Sequence, residues 1–157
     1  CICHIAPWHG YSLLYGLPAL QNKCLSRLQN IAARIVTRTK PTEHITPVLR
    51  DLHWLPIKDR IVFKILIYVY RSTINMSPLY ISHLLTPYKQ QRHLRSSSKI
   101  LFTEPRFTKS WGARSFLCAA PRLWNKLPEY VKTAKSVDSF KTLLKTLIMN
   151  SESDFFD

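Results

Sequence analysis

Basic side chains at helical spacing are the residues in this sequence best placed to do chemistry. Between Pro18 and Arg38 an apolar stripe recurs with the period of a helix, and four lysine and arginine residues lie mainly off it. They are Lys23, Arg27, Arg34 and Arg38. Such a row of cations can track a phosphate backbone, so the pattern favours a polyanionic ligand. A solvated basic surface without a partner is the alternative.

Two further basic groups occur later in the chain. The segment "KQQRHLRSSSK" has the profile of an exposed loop and carries Lys89, Arg92, Arg95 and Lys99. It is equally well interpreted as a disordered basic linker. In "CAAPRLWNKLP", Arg122 and Lys126 are four residues apart and share a helical face, and Arg114 joins them if the preceding segment folds back. Trp124, between two leucines, is predicted to pack in the core.

The composition agrees with a nucleic-acid partner. The 157 residues include 23 Lys and Arg against 9 Asp and Glu, for a net charge of +14, and 46% of them are hydrophobic. We therefore expect a globular domain that binds RNA, an RNA–DNA hybrid or DNA, with an anionic membrane surface as the second choice. The longest apolar run, "IVFKILIYVY", is interrupted by Lys64 and is too short to span a membrane, so we expect no transmembrane segment. Of the two candidate partners we choose nucleic acid and not a membrane.

Catalytic patterns are missing from the sequence. Three glycines allow neither a P-loop nor a dinucleotide turn, and outside the last six residues the acids are scattered singly. No nucleophile is paired with a histidine, and "CICH" lacks the second ligand pair of a zinc site. We expect no enzyme activity, cofactor or metal for this chain alone. Widely spaced cysteines predict free thiols in a reducing compartment, either nuclear or cytoplasmic.

The predicted fold class is mainly α, a compact bundle of about five to seven short helices, to which residues 100–110 could add a small β-hairpin. Prolines 47, 56 and 78 are predicted at first helical positions, with Thr46 and Ser77 as N-caps. Residues 57–73 are predicted as a buried helix. Trp111 to Leu127 is predicted as two short helices broken at Pro121. A closing helix at 137–150, capped by Ser136 or Asp138, would turn Val137, Phe140, Leu144 and Leu147 inward.

The inner face of the first helix is predicted to consist of Gln21, Leu25, Leu28, Ala32 and Ile35. In order along the chain we expect a ragged or unrelated start (1–10), this amphipathic helix (11–40), a helical core (41–88), a basic loop with a short strand (89–110), C-terminal helices (111–150) and an acidic disordered tail (151–157). Because the start shows neither an initiator Met nor a signal pattern, we expect it to lie inside a longer protein or a truncated reading frame.

A series of motifs in order carries a resemblance to a known family. They are "LLYGLP" (13–18), "LSRLQNIAARIVTR" (25–38), "HITPVLRDLHWLPIKDRIVFKILIYVYRS" (44–72), "LTPY" (85–88), "RHLRSSS" (92–98), "PRFTKSWGARSFLCAAPRLWNKLP" (105–128) and "SFKTLLKT" (139–146). Over residues 11–148 the chain resembles the C-terminal region of reverse transcriptases from non-LTR (LINE-type) retrotransposons of the jockey-like group. Residues 1–10 depart from the family pattern.

The resemblance implies that the first helix is part of a polymerase thumb and that the rest follows the polymerase. In such proteins an endonuclease and a Mg-dependent polymerase palm lie upstream, and these domains would be partners of this chain. The family's Phe/Tyr-Ala-Asp-Asp motif is absent here, so no catalytic aspartate is carried over. Two alternatives remain open: a helical module that docks the polymerase body through apolar faces such as that of 57–73, and a non-functional relic of a mobile element.

Overall fold

The architecture is mainly helical, as predicted. The structure, a computed structural model, describes residues 14–16, 19–88, 100–107, 112 and 114–150. Seven helices lie in these ranges: α1 (Ala19–Thr37), α2 (Ile45–Asp51), α3 (Ile57–Thr73), α4 (Leu79–Leu84), α5 (Phe116–Lys126), α6 (Glu129–Lys132) and α7 (Val137–Asn150). The expectations for the first ten residues, for the basic loop at 89–99 and for the acidic tail fall outside the described residues.

Prolines fix where the helices of the central region begin. Pro56 precedes α3 and Pro78 precedes α4, each as the N-cap and not as the first helical residue. The bounds predicted for α3 were right although Pro56 is its N-cap, whereas the predicted start of α4, with Ser77 as N-cap, was one residue early. Helix α2 begins at Ile45 with His44 as its N-cap, so Thr46 and Pro47 lie within its first turn. Pro47 is tolerated there because the first amide groups of a helix have no intrahelical acceptor.

Helix α3 forms the centre of the core, as its apolar sequence predicted. Seven of its side chains are buried, from Ile61 to Tyr70. Helices α1, α4, α5 and α7 all pack against it, so its apolar sides are covered within the chain. The Tyr70 ring stacks on Phe140 of α7 with centroids 4.2 Å apart, and its hydroxyl donates a hydrogen bond to the Ala134 carbonyl at 2.6 Å. The apolar side chains of α3 therefore find most of their packing partners within this chain.

Helix α5 runs uninterrupted through Pro121, so the predicted break there was wrong. A proline inside a helix removes one backbone hydrogen bond and typically costs about 3 kcal/mol. The Pro121 ring is fully buried, and the apolar side chains around it, Cys118, Ala119, Ala120, Leu123 and Trp124, are buried as well. We attribute the continuity of α5 to this burial, because breaking the helix would expose the apolar face that packs on α3.

The closing helix α7 matches its predicted bounds and inner face. The Ser136 hydroxyl accepts a hydrogen bond from the Ser139 amide at 3.1 Å, which makes Ser136 the N-cap. Phe140, Leu144 and Ile148 are buried, while Val137 and Leu147 are partly buried against the same core.

The segment at 100–107 is not a strand in the structure. Within the described residues it makes one isolated antiparallel bridge, between Phe102 and Pro87. The Tyr88 amide donates to the Leu101 carbonyl at 2.9 Å, and the Thr103 amide donates to the Thr86 carbonyl at 2.9 Å. Pro87 has no amide hydrogen to extend this ladder. The predicted hairpin is thus reduced to a two-armed stem, formed by residues 86–88 and 101–103.

Candidate nucleic-acid interface

Three of the four predicted cations of α1 are available to a ligand. The side chains of Lys23, Arg27 and Arg38 are exposed, and these side chains form no hydrogen bond or ion pair with another described residue. Helix α1 itself contains no acidic residue that could neutralise them. At about 1.5 Å rise per residue, α1 extends about 21 Å from Lys23 to its end at Thr37, and Arg38 follows directly. The row therefore has the length of several phosphate spacings along one strand.

Arg34 has a structural role instead. Its side chain is partly buried, and Nη2 donates a hydrogen bond to the Glu43 carbonyl at 2.9 Å. Its Nε is buried and has no hydrogen-bond partner in the described part of the chain. Arg34 thus ties the end of α1 to the turn before α2. It contributes positive charge to the row but has little freedom to reach a phosphate.

The predicted inner face of α1 was wrong, because most of it points to solvent. Leu28 is 61% exposed and Ile35 is 72% exposed, whereas Gln29 and Ala33 are buried. Helix α1 packs on α2 and α3 through this opposite side. The buried Gln29 amide is satisfied there, since Nε2 donates to the Leu55 carbonyl at 2.8 Å. The cations therefore border an exposed apolar surface.

The second basic group lies on α5. Arg122 and Lys126 are both exposed, one helical turn apart, while Leu123 and Trp124 between them are fully buried. Arg114 precedes the helix and is exposed. Its aliphatic carbons lie against Gly16, where the Cβ atom of any larger residue would be 2.7 Å from the Cγ atom of Arg114. Helices α1 and α5 each pack on α3. The two groups of cations therefore lie on different helices that share one core helix.

Trp124 holds the fold together, as its spacing predicted. Its side chain is fully buried, contacts Phe102 edge-on with ring centroids 6.0 Å apart, and lies 6.2 Å from the Phe140 ring. Its indole Nε1 donates a hydrogen bond to the Ile100 carbonyl at 2.9 Å. Both functions of the side chain, apolar packing and hydrogen bonding, are used inside the protein, so Trp124 is not free to stack on a base.

Asn125 is a residue that the sequence analysis missed. Its Oδ1 accepts a hydrogen bond from the Phe102 amide at 3.1 Å, and its Nδ2 donates to the Phe102 carbonyl at 2.9 Å. Together with Trp124, it fixes the stem to α5. The only signal in the sequence was a single amide side chain on an otherwise apolar and basic helix. Lys89, Arg92, Arg95 and Lys99, the predicted loop cations, lie outside the described residues, between the two arms of this stem.

Lys132 shows that positive charge in the composition need not be on the surface. It is buried, with Nζ 6.0 Å from the centre of the Trp124 ring and donating to the Asn125 carbonyl at 3.4 Å. Its ammonium group therefore makes its contacts inside the protein.

Neither a metal centre nor a membrane span is found in the described ranges. No three His, Cys, Asp or Glu side chains cluster there in a way that could hold a metal ion. The helices described also include none that is both long and apolar enough to cross a bilayer.

Comparisons of the chain with models of protein families, with curated proteins and with solved structures find no match.

Proposed function

We propose that this chain is the C-terminal region of a non-LTR retrotransposon reverse transcriptase and that it binds nucleic acid without catalysing a reaction itself. The motif series quoted above supports the first part of the proposal. The observation that carries the second is the row of exposed, unneutralised cations formed by Lys23 and Arg27 on α1 and Arg38 directly after it. RNA, an RNA–DNA hybrid and a DNA duplex are the candidate ligands, and the missing palm and endonuclease would supply the chemistry.

The physical basis of such binding is electrostatic. Each lysine or arginine that neutralises a phosphate releases condensed counterions, and this release is less favourable at high salt concentration. For each such contact, the logarithm of the affinity therefore falls by about 0.7–0.9 for each tenfold rise in salt concentration. Three cations in a row contribute a slope of about 2–3 by this mechanism. Since phosphates carry no base identity, the binding should be steep in salt and weakly dependent on sequence. Arg122 and Lys126 on α5 offer a second, smaller contact.

The test is fluorescence anisotropy of the whole chain with a labelled RNA hairpin, an RNA–DNA hybrid and a DNA duplex, each measured over a series of salt concentrations. The variant Lys23→Gln, Arg27→Gln, Arg38→Asn removes the row. Asn is chosen at position 38 because that residue has a φ of 55°, which Asn tolerates well. We expect weaker binding to every ligand and a salt slope lower by about 2–3 units.

A matched control removes the same charge elsewhere. Lys58, Arg106 and Lys135 are exposed residues outside α1, and their replacement by Gln lowers the net charge equally. If the control lowers the slope as much as the α1 variant does, binding depends on overall charge and the row is not the site. If the unaltered chain, folded and monomeric, binds none of the three ligands near physiological salt, the proposal of nucleic-acid binding is wrong.

The basic loop is tested separately. Replacing Arg92, Arg95 and Lys99 with Ala should weaken binding about equally for all sequences and lower the slope by up to about three units. An unchanged slope would remove the loop from the interface while leaving the α1 row untouched.

A further inference from the structure

Apolar side chains form a continuous exposed row along α1. Leu20 is 79% exposed and Ile31 is 47% exposed, and Cys24, Leu28 and Ile35 are exposed as well. We call Leu20, Cys24, Leu28, Ile31 and Ile35 the α1 stripe. These positions fall within about 80° of one another on a helical wheel and extend about 22 Å along the axis. Single exposed leucines are ordinary, but a contiguous row of this length marks an interaction surface.

Cations border the α1 stripe along one edge only. Two of them lie three residues after a stripe position, Lys23 after Leu20 and Arg27 after Cys24, and Arg38 follows directly after the last residue of the helix. Residues three apart are neighbours on a helix surface, so the charged row runs parallel to the apolar row. Gln21 and Ala32, at the other edge of the stripe, are uncharged. The surface is therefore apolar in the middle and positive on one side.

The apolar centre of the surface and its positive border together indicate which kind of partner can bind there. A helix that docks by apolar residues spaced three and four apart can cover the stripe, and acidic residues beside its apolar face can pair with the border. A second copy of this chain would bring another body with a net charge of +14 and no acid on α1. Phosphates alone would leave the leucines and isoleucines uncovered. We propose that α1 docks an amphipathic helix of a partner protein, whose apolar face is flanked by Asp or Glu.

This docking goes beyond nucleic-acid binding and does not depend on it. Because Lys23 and Arg27 would face both ligands, an acidic helix seated on the α1 stripe would compete with nucleic acid for α1.

Cys24 provides a direct readout, since its thiol lies in the stripe and is exposed, whereas that of Cys118 is buried. The probe is a synthetic helical peptide with Leu at heptad positions a and d and Glu at e and g, where Glu also prevents the peptide from pairing with itself. The control peptide carries Lys in place of Glu. Iodoacetamide alkylation of Cys24 in the whole chain is followed by mass spectrometry. We expect saturating Glu peptide to slow it by about tenfold or more, because only an accessible thiolate reacts.

Two variants separate the stripe from other exposed apolar residues. Leu28→Gln with Ile35→Gln should abolish the protection and leave the melting temperature unchanged, because both side chains are exposed and Gln is a good helix former. Leu79→Gln on α4 is the matched control, since Leu79 is 76% exposed but lies outside α1. It should leave the protection intact.

Several outcomes would overturn the assignment. Equal protection by the Lys peptide would show that charge does not select the partner, and no protection by either peptide would reject helix docking. A thiol of Cys24 that is as slow as Cys118 in the free chain would mean that the chain covers the stripe itself. A dimer in sedimentation that Leu28→Gln with Ile35→Gln dissociates would make a second copy the occupant. Protection by RNA or by anionic vesicles, without protection by peptide, would assign the stripe to those ligands.

Discussion

The side-chain amide of Asn125 is the single group whose removal should most clearly open the stem. In Asn125→Ala the Phe102 amide loses its acceptor at 3.1 Å and the Phe102 carbonyl loses a donor at 2.9 Å. A third hydrogen bond, from Asn125 Nδ2 to Glu104 Oε1 at 3.1 Å, is also lost, but it is exposed. The change removes few atoms, so its cost is mainly that of unpaired backbone groups.

The magnitude follows from the burial of Phe102. This residue is buried, and each backbone group left without a partner in such a place costs about 1–3 kcal/mol. Asn125 is only half-buried, which admits some water and favours the lower half of that range. We expect a loss of about 2–4 kcal/mol in the free energy of unfolding. A domain with a stability of about 5–15 kcal/mol remains folded after such a loss.

Urea unfolding followed by circular dichroism measures this loss. The expected result is a lower midpoint with an unchanged slope against urea concentration. Glu104→Ala is the control, because it removes only the exposed hydrogen bond and should cost less than about 0.5 kcal/mol. In Asn125→Asp the carboxylate still accepts from the Phe102 amide but cannot donate to the carbonyl. Its deficit should shrink as the pH falls through about 4 and the carboxyl group becomes protonated.

Equal stabilities of Asn125→Ala and Glu104→Ala would refute this reasoning, since the backbone groups of Phe102 would then need no side-chain partner. A deficit in Asn125→Asp that does not vary with pH would contradict the donor role of Nδ2.

Three further predictions rest on single contacts. Trp124→Ala should cost about 3–5 kcal/mol in urea unfolding, and a normal melting temperature would mean that the ring is not a core anchor. Gln29→Ala should cost about 1–3 kcal/mol because the Leu55 carbonyl loses its buried donor, and a cost near zero would show that this bond is dispensable. The hydrogen bond and charge of Lys141 hold the pKa of Asp138 below its usual value. Asp138→Asn should therefore lower the melting temperature at pH 7, and the difference should vanish as acid protonates the carboxyl group; a difference that persists would contradict this contact.

Helix positions were largely predictable from local sequence. The bounds of α3 and α7 agree with the predicted 57–73 and 137–150, because a preceding proline or serine fixes the start and dense apolar residues fix the length. Pro121 was misjudged because the cost of a proline in a helix is local, whereas the burial that offsets it depends on the packing of α5 against α3.

The orientation of α1 was not predictable in the same way. Periodicity identifies the apolar side of a helix, but it does not say which side the rest of the chain covers. Here the covered side includes Gln29, whose amide finds the Leu55 carbonyl far away in sequence. Exposure of Lys23 and Arg27 follows from their side-chain type. The carbonyl partner of Arg34 and the burial of Lys132 depend on tertiary contacts that no spacing reveals.

The stem formed by residues 86–88 and 101–103 also makes the helical core independent of changes in the segment that connects its two arms. Its two arms are joined by backbone hydrogen bonds and fastened to α5 through Trp124 and Asn125, so the ends of any connecting segment meet at a fixed point. Because the entropy of closing a loop grows only slowly with its length, insertions there are inexpensive. Insertions in this segment can therefore change its length and charge while the same helices are kept, and an affinity tag or a foreign binding peptide can be grafted at the same place.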